Sequence, residues 1–210
     1  MFVEHMTSRT VTIVYERLAP LYDVIYGALL EPGRRRAVAR LAPRPGERIL
    51  EVGVGTGFGL RRYPAGCRVV AIDLSEPMIA RARARLVRQR LEHVTLCRMD
   101  AARLAFCDGQ FDAVYAPYLI NVVPDPVRVA REMLRVCRTG GRLVLLNHFD
   151  RVDGDRDAVD RLVGHVAVRV SGVNWHLDFH DFLRATGLAP RSVEAVNIPR
   201  VSSVVLCHKS

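Results

Sequence analysis

Ile49-Leu50-Glu51-Val52-Gly53-Val54-Gly55-Thr56-Gly57 is the stretch that decides the fold of this chain. Its first residues are mostly apolar, as expected of a short parallel strand that is buried on both faces. Glycine then occupies every second position, and without a Cβ it lets a ligand lie directly against the backbone. A glycine-rich turn between a strand and a helix therefore predicts a cofactor site, lined by free amides and by the positive end of that helix.

The spacing of the glycines separates cofactor classes. A dinucleotide fingerprint reads G-x-G-x-x-G, whereas here the sixth position counted from Gly53 is Phe58, and Glu51 precedes the first glycine by two. Asp73 follows twenty residues after Gly53, at the end of the apolar run 68–72, where a carboxylate can accept both hydroxyls of a ribose. The form E-x-G-x-G-x-G resembles motif I of the class I S-adenosylmethionine-dependent methyltransferases. The alternatives are a nucleotide site of another class or a plain tight turn.

This resemblance implies S-adenosylmethionine as the cofactor, with S-adenosylhomocysteine as the product. It implies that Glu51 meets the charged amino end, that Asp73 binds the ribose, and that Asp100 binds the adenine amino group. The other residues that we place at the cofactor are Tyr22, Gly53, Val54, Gly55, Thr56, Gly57, Leu74, Met78, Ala101, Ala116, Pro117 and Tyr118.

The sheet domain alternates between strand and helix patterns, which predicts an α/β fold with parallel strands and right-handed crossovers. Strands are predicted over 48–52, 68–72, 94–98, 111–116 and 141–148, and helices over 57–63, 76–90, 125–137 and 157–168. Residues 138–141 read as a glycine C-cap turn, and 191–197 and 201–208 as an antiparallel hairpin. The expected architecture is a Rossmann-like, seven-stranded, mostly parallel sheet with helices on both faces, as in the methyltransferase family.

The N-terminal residues show a different pattern. Apolar residues recur at helical spacing between residues 11 and 30, Pro20 interrupts them, and an arginine-rich helix then runs to Leu41. The segment Pro43-Arg44-Pro45-Gly46 predicts a boundary. We therefore expect a helical appendage over 1–45, acting as a lid or as a membrane contact, and a methyltransferase domain over 46–210.

The net charge is +9 and comes almost entirely from arginine, since Lys209 is the only lysine. A basic surface favours an anionic partner, either nucleic acid or an anionic membrane. The sequence contains no run of about eighteen apolar residues and therefore predicts no transmembrane helix. Its first residues lack a secretion signal, so we expect an intracellular protein. The five cysteines contain no C-x-x-C pair and favour reduced thiols.

A narrower resemblance extends from about residue 15 to residue 150. The segments that carry it are 19–23, 31–35, 98–104, 115–126 and 145–149. They resemble bacterial phosphatidylethanolamine N-methyltransferases of the Rhodobacter type. This implies that the acceptor is the amine of phosphatidylethanolamine or its partly methylated forms, on the way to phosphatidylcholine. It also implies a cytoplasmic protein that associates peripherally with the inner membrane.

Methyl transfer to such an amine requires alignment, an unprotonated acceptor and a partner for the lipid phosphate. Tyr22 lies in the segment that would close over the cofactor, and Tyr118 lies just past the fourth strand. His148 ends the fifth strand and can bind phosphate or accept a proton, and Arg34 can meet the phosphate. Weaker candidates are Asn121 and Tyr26.

Several patterns have more than one interpretation. His176 and His180 have the spacing of half a metal site, but no third ligand is evident, and we predict no metal. Trp175 fits an interface or a core equally well. Five arginines spaced two or three residues apart spread around one helix and predict a solvated surface, namely Arg81, Arg83, Arg85, Arg88 and Arg90.

Three alternative functions remain open. The first keeps the cofactor but methylates a quinone, another small molecule or RNA; the absence of an N-P-P-Y or D-P-P-Y box argues against a base amine. The second is a peripheral membrane-binding protein without catalysis, against which the intact cofactor residues speak. The third is a nicotinamide oxidoreductase, which Phe58 and Glu51 disfavour.

Overall fold

The computed structural model describes residues 30–149, 177–197 and 202–210. The helices predicted between residues 11 and 30 and over 157–168 lie outside the described residues. So do four of the singled-out side chains, Tyr22, Tyr26, Trp175 and His176.

Seven strands form a single sheet. They are β1 (Arg48–Val52), β2 (Arg68–Asp73), β3 (Val94–Arg98), β4 (Phe111–Pro117), β5 (Cys137–Asn147), β6 (Pro190–Val196) and β7 (Ser202–His208). Their order is β3-β2-β1-β4-β5-β7-β6. The first five strands pair in parallel, and β7 runs antiparallel between β5 and β6. The predicted seven-stranded, mostly parallel sheet with an antiparallel C-terminal hairpin is confirmed.

The apolar runs of the central strands are explained by burial on both faces. Along β1, Ile49 packs into one core and Leu50 into the other, because successive side chains of a strand point to opposite faces. One face is covered by helices α3 (Pro126–Val136) and α4 (Phe179–Thr186), and the other by α1 (Glu31–Leu41) and α2 (Glu76–Gln89). Helix α1 therefore shares a core with the sheet.

Three of these helices begin at a side-chain cap. The side chains of Ser75, Asp125 and Asp178 accept hydrogen bonds from backbone amides in the first turns of α2, α3 and α4. Such caps satisfy amides that have no partner within the helix. Helix α1 differs, because Leu30 at its start offers no side-chain cap.

The helix predicted over 57–63 is wrong. The structure has turns there, followed by one turn of 3₁₀ helix at Leu60–Arg62. Gly57 has a φ of +76°, outside the helical region, and a Cβ on it would lie 3.1 Å from Ala82 Cβ of α2. Since Tyr63 is already extended and Pro64 follows, no α-helix can develop. The predicted contribution of a positive helix end to the glycine loop is therefore absent.

The predicted glycine C-cap at 138–141 is also wrong. Helix α3 ends at Val136, Cys137 is already extended, and β5 begins there rather than at residue 141. Gly140 does have a positive φ of 71°, but its amide donates to the carbonyl of Lys209 beyond β7. The turn therefore belongs to the irregular start of β5.

No helix within the described ranges is long and apolar enough to cross a bilayer.

Candidate active site

The glycine loop after β1 is folded back onto β2. The amides of Gly53 and Val54 both donate to the carbonyl oxygen of Ile72, at 2.9 Å each. Gly53 and Gly55 have φ values of +78° and +54°, a region that favours glycine. A Cβ on Gly53 would lie 2.8 Å from Leu119 Cδ1, whereas a Cβ on Gly55 would meet no atom within 4 Å. Gly53 is therefore needed for close packing, and Gly55 leaves room for a ligand.

Asp73 connects this loop to the end of β2. Its Oδ2 accepts a hydrogen bond from the amide of Gly55 at 2.8 Å, and its Oδ1 accepts one from the amide of Ser75 at 3.0 Å. Burial raises the pKa of the Asp73 carboxyl, and these backbone hydrogen bonds oppose that rise. Each carboxylate oxygen keeps a further lone pair, so Asp73 can still accept hydrogen bonds from two ribose hydroxyls.

A cavity of about 340 Å³ opens beside Asp73, at the carboxyl ends of β1, β2 and β4. This is the edge of a parallel sheet where α/β proteins bind ligands, and the volume falls in the range of small-molecule sites, roughly 300–1,000 Å³. The predicted cofactor residues that line it are Gly53, Gly55, Asp73, Leu74, Met78, Asp100, Ala101, Pro117 and Tyr118. Open space at Gly55 and two oxygens at Asp73 fit S-adenosylmethionine.

The remaining described residues predicted for the cofactor are not part of the cavity lining. Val54 and Ala116 are buried in the two cores. Thr56 is buried, and Gly57 is packed against Ala82. These four residues are therefore packed in the protein interior and do not line the cavity.

Glu51, predicted to meet the amino end of the cofactor, does not line the cavity either. Its carboxylate is buried and accepts a hydrogen bond from the Tyr63 hydroxyl at 2.6 Å. Burial raises the pKa of Glu51 to about 7, while the Tyr63 hydrogen bond and the charge of Arg34 oppose the rise. This carboxyl therefore changes its charge near neutral pH.

The far end of the cavity combines a polar rim with an apolar wall. Asp100 is exposed, and its Oδ1 accepts a hydrogen bond from the amide of Ala102 at 2.8 Å. Leu119, Val122 and Val123 form the wall. This arrangement suits a flat base with an exocyclic amino group. We did not predict the wall, although one signal existed: these apolar residues stand in a connection between strand and helix.

The predicted acceptor residues Arg34, Tyr118 and His148 lie together, and we call them the Tyr118 cluster. The Arg34 guanidinium carbon lies 5.2 Å from the centroid of the Tyr118 ring, within cation–π range. The ring of His148 lies 5.5 Å from that of Tyr118. All three side chains are buried, and Tyr118 also lines the cavity. Tyr118 has a φ of +54°, a strained value for a bulky residue that is typical of functional sites.

More positive charge surrounds the neighbouring ring of Phe58. The guanidinium carbons of Arg34, Arg61 and Arg85 lie 5.8, 5.6 and 5.1 Å from its centroid. Arg85, which we predicted on a solvated surface, is thus partly withdrawn to this ring. Three guanidinium groups therefore lie near the cluster, and one of them, Arg61, pairs with Glu31 at 3.5 Å.

A buried series of hydrogen bonds, which we call the Asn197 chain, supports the cluster. The amide of Gly33 donates to Asn197 Oδ1 at 2.9 Å, so Asn197 caps helix α1 from the far end of the chain. Asn197 Nδ2 donates to the Tyr118 hydroxyl at 3.0 Å and to Ser202 Oγ at 2.9 Å. Ser202 Oγ lies 3.1 Å from His148 Nδ1. We did not predict Asn197 and Ser202, because polar residues beside a hairpin turn carry no signal of their own.

Asn121, a weaker candidate, holds the backbone of His148. Its Nδ2 donates to the carbonyl of His148 at 2.7 Å, and its Oδ1 accepts from the amide of His148 at 3.1 Å. The imidazole is thus fixed from both sides, through its backbone and through Nδ1.

His180 is exposed in the first turn of α4, the helix that Asp178 caps. Its predicted companion His176 lies outside the described residues. Across the described ranges, no group of three side chains with metal-binding chemistry comes together.

Comparison with known proteins agrees with this geometry. Residues 50–145 match the methyltransferase domain family. The chain is 45% identical to the phosphatidylethanolamine N-methyltransferase of Cereibacter sphaeroides over 166 residues, covering 79% of each protein. It is 34% identical to the demethylmenaquinone methyltransferase of Renibacterium salmoninarum, covering 64% of this chain and 57% of that one.

A solved structure shows the same fold. The geranyl diphosphate C-methyltransferase from Streptomyces coelicolor A3(2), in complex with Mg²⁺, geranyl diphosphate and S-adenosyl-L-homocysteine, matches with a TM-score of 0.70. The match covers 99% of this chain and 86% of that one at 16% identity. The glycine loop, Asp73 and the cavity stand at the sheet edge where this fold binds ligands. The chain belongs to the class I S-adenosylmethionine-dependent methyltransferases.

Proposed function

We propose that this methyltransferase transfers methyl groups from S-adenosylmethionine to the amine of phosphatidylethanolamine and of its partly methylated forms, at a membrane surface. The observation that carries the proposal is the Tyr118 cluster, which places a cation, an aromatic ring and an imidazole at one end of the cofactor cavity. Similarity to an enzyme named for this reaction supports it.

The cluster matches the chemistry of the phosphoethanolamine headgroup. Arg34 and His148 offer N–H donors to the phosphate, for which charged donors are the strongest partners. Tyr118 offers an aromatic face to the amine as it gains methyl groups and becomes a quaternary cation. Arginines around Phe58 add attraction for the anionic phosphate.

When bound, S-adenosylmethionine supplies a methyl group on a positively charged sulfur, so the N–C bond forms as the C–S bond breaks and S-adenosylhomocysteine is left. An ammonium has no lone pair, so the amine must first release its proton to water. The positive charge of Arg34 favours the neutral amine over the ammonium, because like charges repel in a buried site. The chain's own contribution is thus alignment, exclusion of water and a bias toward the reactive form.

The membrane part of the proposal is supported by charge. The chain carries +9, and arginine provides nearly all of its cations. An anionic leaflet attracts such a surface with about 1 kcal/mol per basic residue near it. We therefore propose peripheral binding at the cytoplasmic face of the inner membrane.

The test is to incubate the protein with labelled S-adenosylmethionine and anionic vesicles, with or without phosphatidylethanolamine, and to separate the lipids. We expect labelled mono-, di- or trimethylated lipid only when phosphatidylethanolamine is present, and none with Asp73→Ala. Vesicles of the same charge without that lipid control for membrane binding. Tight binding of S-adenosylhomocysteine without any labelled lipid would exclude the phospholipid as acceptor.

A quinone is the second candidate acceptor. The similarity to a demethylmenaquinone methyltransferase supports it, as does the apolar wall of Leu119, Val122 and Val123. Adding demethylmenaquinone to the same vesicles, and RNA to a parallel reaction, distinguishes the acceptors by which product carries the label.

A further inference from the structure

We propose that the Asn197 chain fixes His148 as the tautomer with its hydrogen on Nε2. His148 then donates a hydrogen bond to a phosphate oxygen of the lipid and does not take the proton of the amine. Asn197 and Ser202 are positioning residues that act through His148. The identity of the bound oxygen rests on the proposed function, whereas the tautomer does not.

The backbone amide of Gly33 in helix α1 sets the direction of the hydrogen bonds in the Asn197 chain. An asparagine amide can usually be placed either way round, because its oxygen and nitrogen look alike. Here the backbone N–H of Gly33 can only donate, so the atom 2.9 Å from it must be the Asn197 oxygen. The NH₂ group of Asn197 must therefore point at Ser202 and Tyr118.

Ser202 transmits this direction. Its oxygen accepts a hydrogen bond from Asn197 Nδ2, so its single hydroxyl hydrogen remains to be donated. Within the ranges that the structure describes, the side-chain oxygen of Ser202 is hydrogen-bonded only to Asn197 and to His148 Nδ1. The hydroxyl hydrogen therefore goes to Nδ1, which acts as an acceptor.

The opposite arrangement is disfavoured by burial. If Nδ1 carried the hydrogen, Ser202 would accept two hydrogen bonds and its own hydrogen would have no acceptor. Ser202 is only 2% exposed, so water cannot satisfy that hydrogen. A buried donor without a partner shifts such an equilibrium by roughly tenfold or more.

This tautomer decides what His148 can do. The lone pair of the neutral ring lies on Nδ1 and faces Ser202, while Nε2 carries a hydrogen to donate. A ring flip would put a carbon atom in the place of Nδ1 and leave the buried Ser202 hydroxyl without its acceptor, so the ring keeps this orientation. An N–H donor suits a phosphate oxygen, whereas a general base needs a lone pair directed at the substrate.

The first experiment is nitrogen-15 NMR of the full chain labelled at histidine, which reports the protonation of each ring nitrogen. His148 is assigned as the signal that disappears in His148→Gln. We expect Nδ1 without a hydrogen and Nε2 with one at neutral pH, and a mixture of both tautomers in Ser202→Ala. Ser203→Ala is the matched control, since Ser203 belongs to the same strand and points to the other face. Nδ1 protonated in the unaltered protein, or an unchanged spectrum in S202A, would overturn the proposal.

A sharper variant is Asn197→Asp, which has nearly the same shape. The new carboxylate still accepts from Gly33, at a helix start that favours negative charge, but it cannot donate. Ser202 must then donate to the carboxylate, and Nδ1 of His148 must carry a hydrogen to donate to Ser202. In N197D we expect the hydrogen of the His148 ring to move to Nδ1. If Nδ1 still carries no hydrogen, the proposed order of hydrogen bonds in the Asn197 chain is wrong.

Steady-state kinetics on vesicles containing phosphatidylethanolamine show whether His148 acts as a hydrogen-bond donor or as a general base. Glutamine keeps an N–H donor but cannot take a proton, so H148Q should retain kcat within about tenfold and H148A should mainly raise KM for the lipid. Equal loss of kcat in both variants would instead identify a base and overturn the donor role. If the unaltered protein does not methylate this lipid, the proposed function fails, while the NMR result still decides the tautomer.

Discussion

The two ends of the cavity are held together in different ways. At the cofactor end, the hydrogen bonds of Asp73 reach Gly55, 18 positions away, and Ser75, two positions away, and both donors are backbone amides. At the acceptor end, the Asn197 chain joins residues separated by 164 and 54 positions, mostly through side chains. Backbone amides are present whatever the sequence, whereas a side-chain network depends on each of its members. The comparison indicates that the cofactor end depends on Asp73 and on the backbone shape of the glycine loop, whereas the acceptor end depends on several side chains, each of which a single substitution can alter.

The largest expected effect is on cofactor affinity, from substitution of Asp73, the side chain that accepts both hydrogen bonds at the cofactor end. Asp73→Ala removes the acceptor of both ribose hydroxyls and leaves the amides of Gly55 and Ser75 without their partner. We expect S-adenosylhomocysteine to bind about 1,000-fold more weakly, or ~4 kcal/mol, as for two lost hydrogen bonds to a charged group. Titration calorimetry measures it, with Asp100→Asn as the comparison, since Asp100 is exposed and should matter less. An affinity within about threefold of the original would refute the role of Asp73.

The next largest effect is expected on the free energy of unfolding, from substitution of Glu51. Unlike the carboxylate of Asp73, that of Glu51 accepts a hydrogen bond from a side chain, the Tyr63 hydroxyl. Its folded pKa of about 7 lies above the ordinary value of 4.5. The folded protein therefore holds a proton between these pH values that the unfolded chain has lost, so stability falls as pH rises from 4.5 to 7. Glu51→Gln cannot ionise and should remove this fall, which is on the order of 3 kcal/mol.

The measurement is urea unfolding of the protein and of E51Q from pH 5 to pH 8. E51Q should gain stability relative to the original protein as pH rises. Calorimetry in two buffers adds a second readout: if Glu51 meets the cofactor's amino end, binding near pH 6.5 releases a proton, and E51Q abolishes that release. Parallel stability curves would show that Glu51 is not buried as described.

Gly33→Ala should damage the acceptor end alone. A Cβ there would lie 2.7 Å from the Tyr118 hydroxyl oxygen and 2.8 Å from Asn197 Oδ1. Alanine is otherwise favoured over glycine in a helix by about 1 kcal/mol, so any loss must come from this overlap, which typically costs about 1–3 kcal/mol. We expect lipid methylation to fall about tenfold while S-adenosylhomocysteine affinity stays within about twofold. Arg35→Ala, on the exposed side of α1, is the control, and equal losses at both ends would mean that the two regions are not separable.

The smallest effect is expected from the ion pairs that also join α1 to the hairpin. Glu194 of β6 pairs with Arg36 at 2.5 Å and with Arg40 at 2.8 Å; both arginines are exposed and Glu194 is partly exposed. Exposed pairs contribute about 0–1 kcal/mol, so Glu194→Gln should lower stability by no more than that, and less at high salt. The tautomer of His148 should not change. A loss of methylation in E194Q would show that these pairs, and not only Asn197, hold the helix at the site.

The same contrast explains what could be predicted from sequence. The strands were evident because β-branched and aliphatic runs have no other stable location, and Asp73 was evident because a carboxylate at a strand end has a fixed place in this fold. Glu51 was assigned to the cofactor by the resemblance to motif I, and that motif does not show that the carboxylate is buried against Tyr63. The helix over 57–63 failed because Gly57 has a positive φ and lies close to Ala82 of a later element, and neither feature is visible in the local sequence pattern. Asn197 and Ser202 could not be identified, since their partners come from remote parts of the chain.

The cap that Asn197 gives to α1 also has a consequence for folding during synthesis. Translation produces α1 long before β6 and β7, so the amide of Gly33 has no hydrogen-bond acceptor until Asn197, 164 residues further along, has been synthesised. Closing so long a loop is slow compared with forming a helix. A nascent chain that has reached the end of β5 already contains the glycine loop and Asp73, but not the partner of His148. The acceptor site can therefore be organised only after the last hairpin has been made.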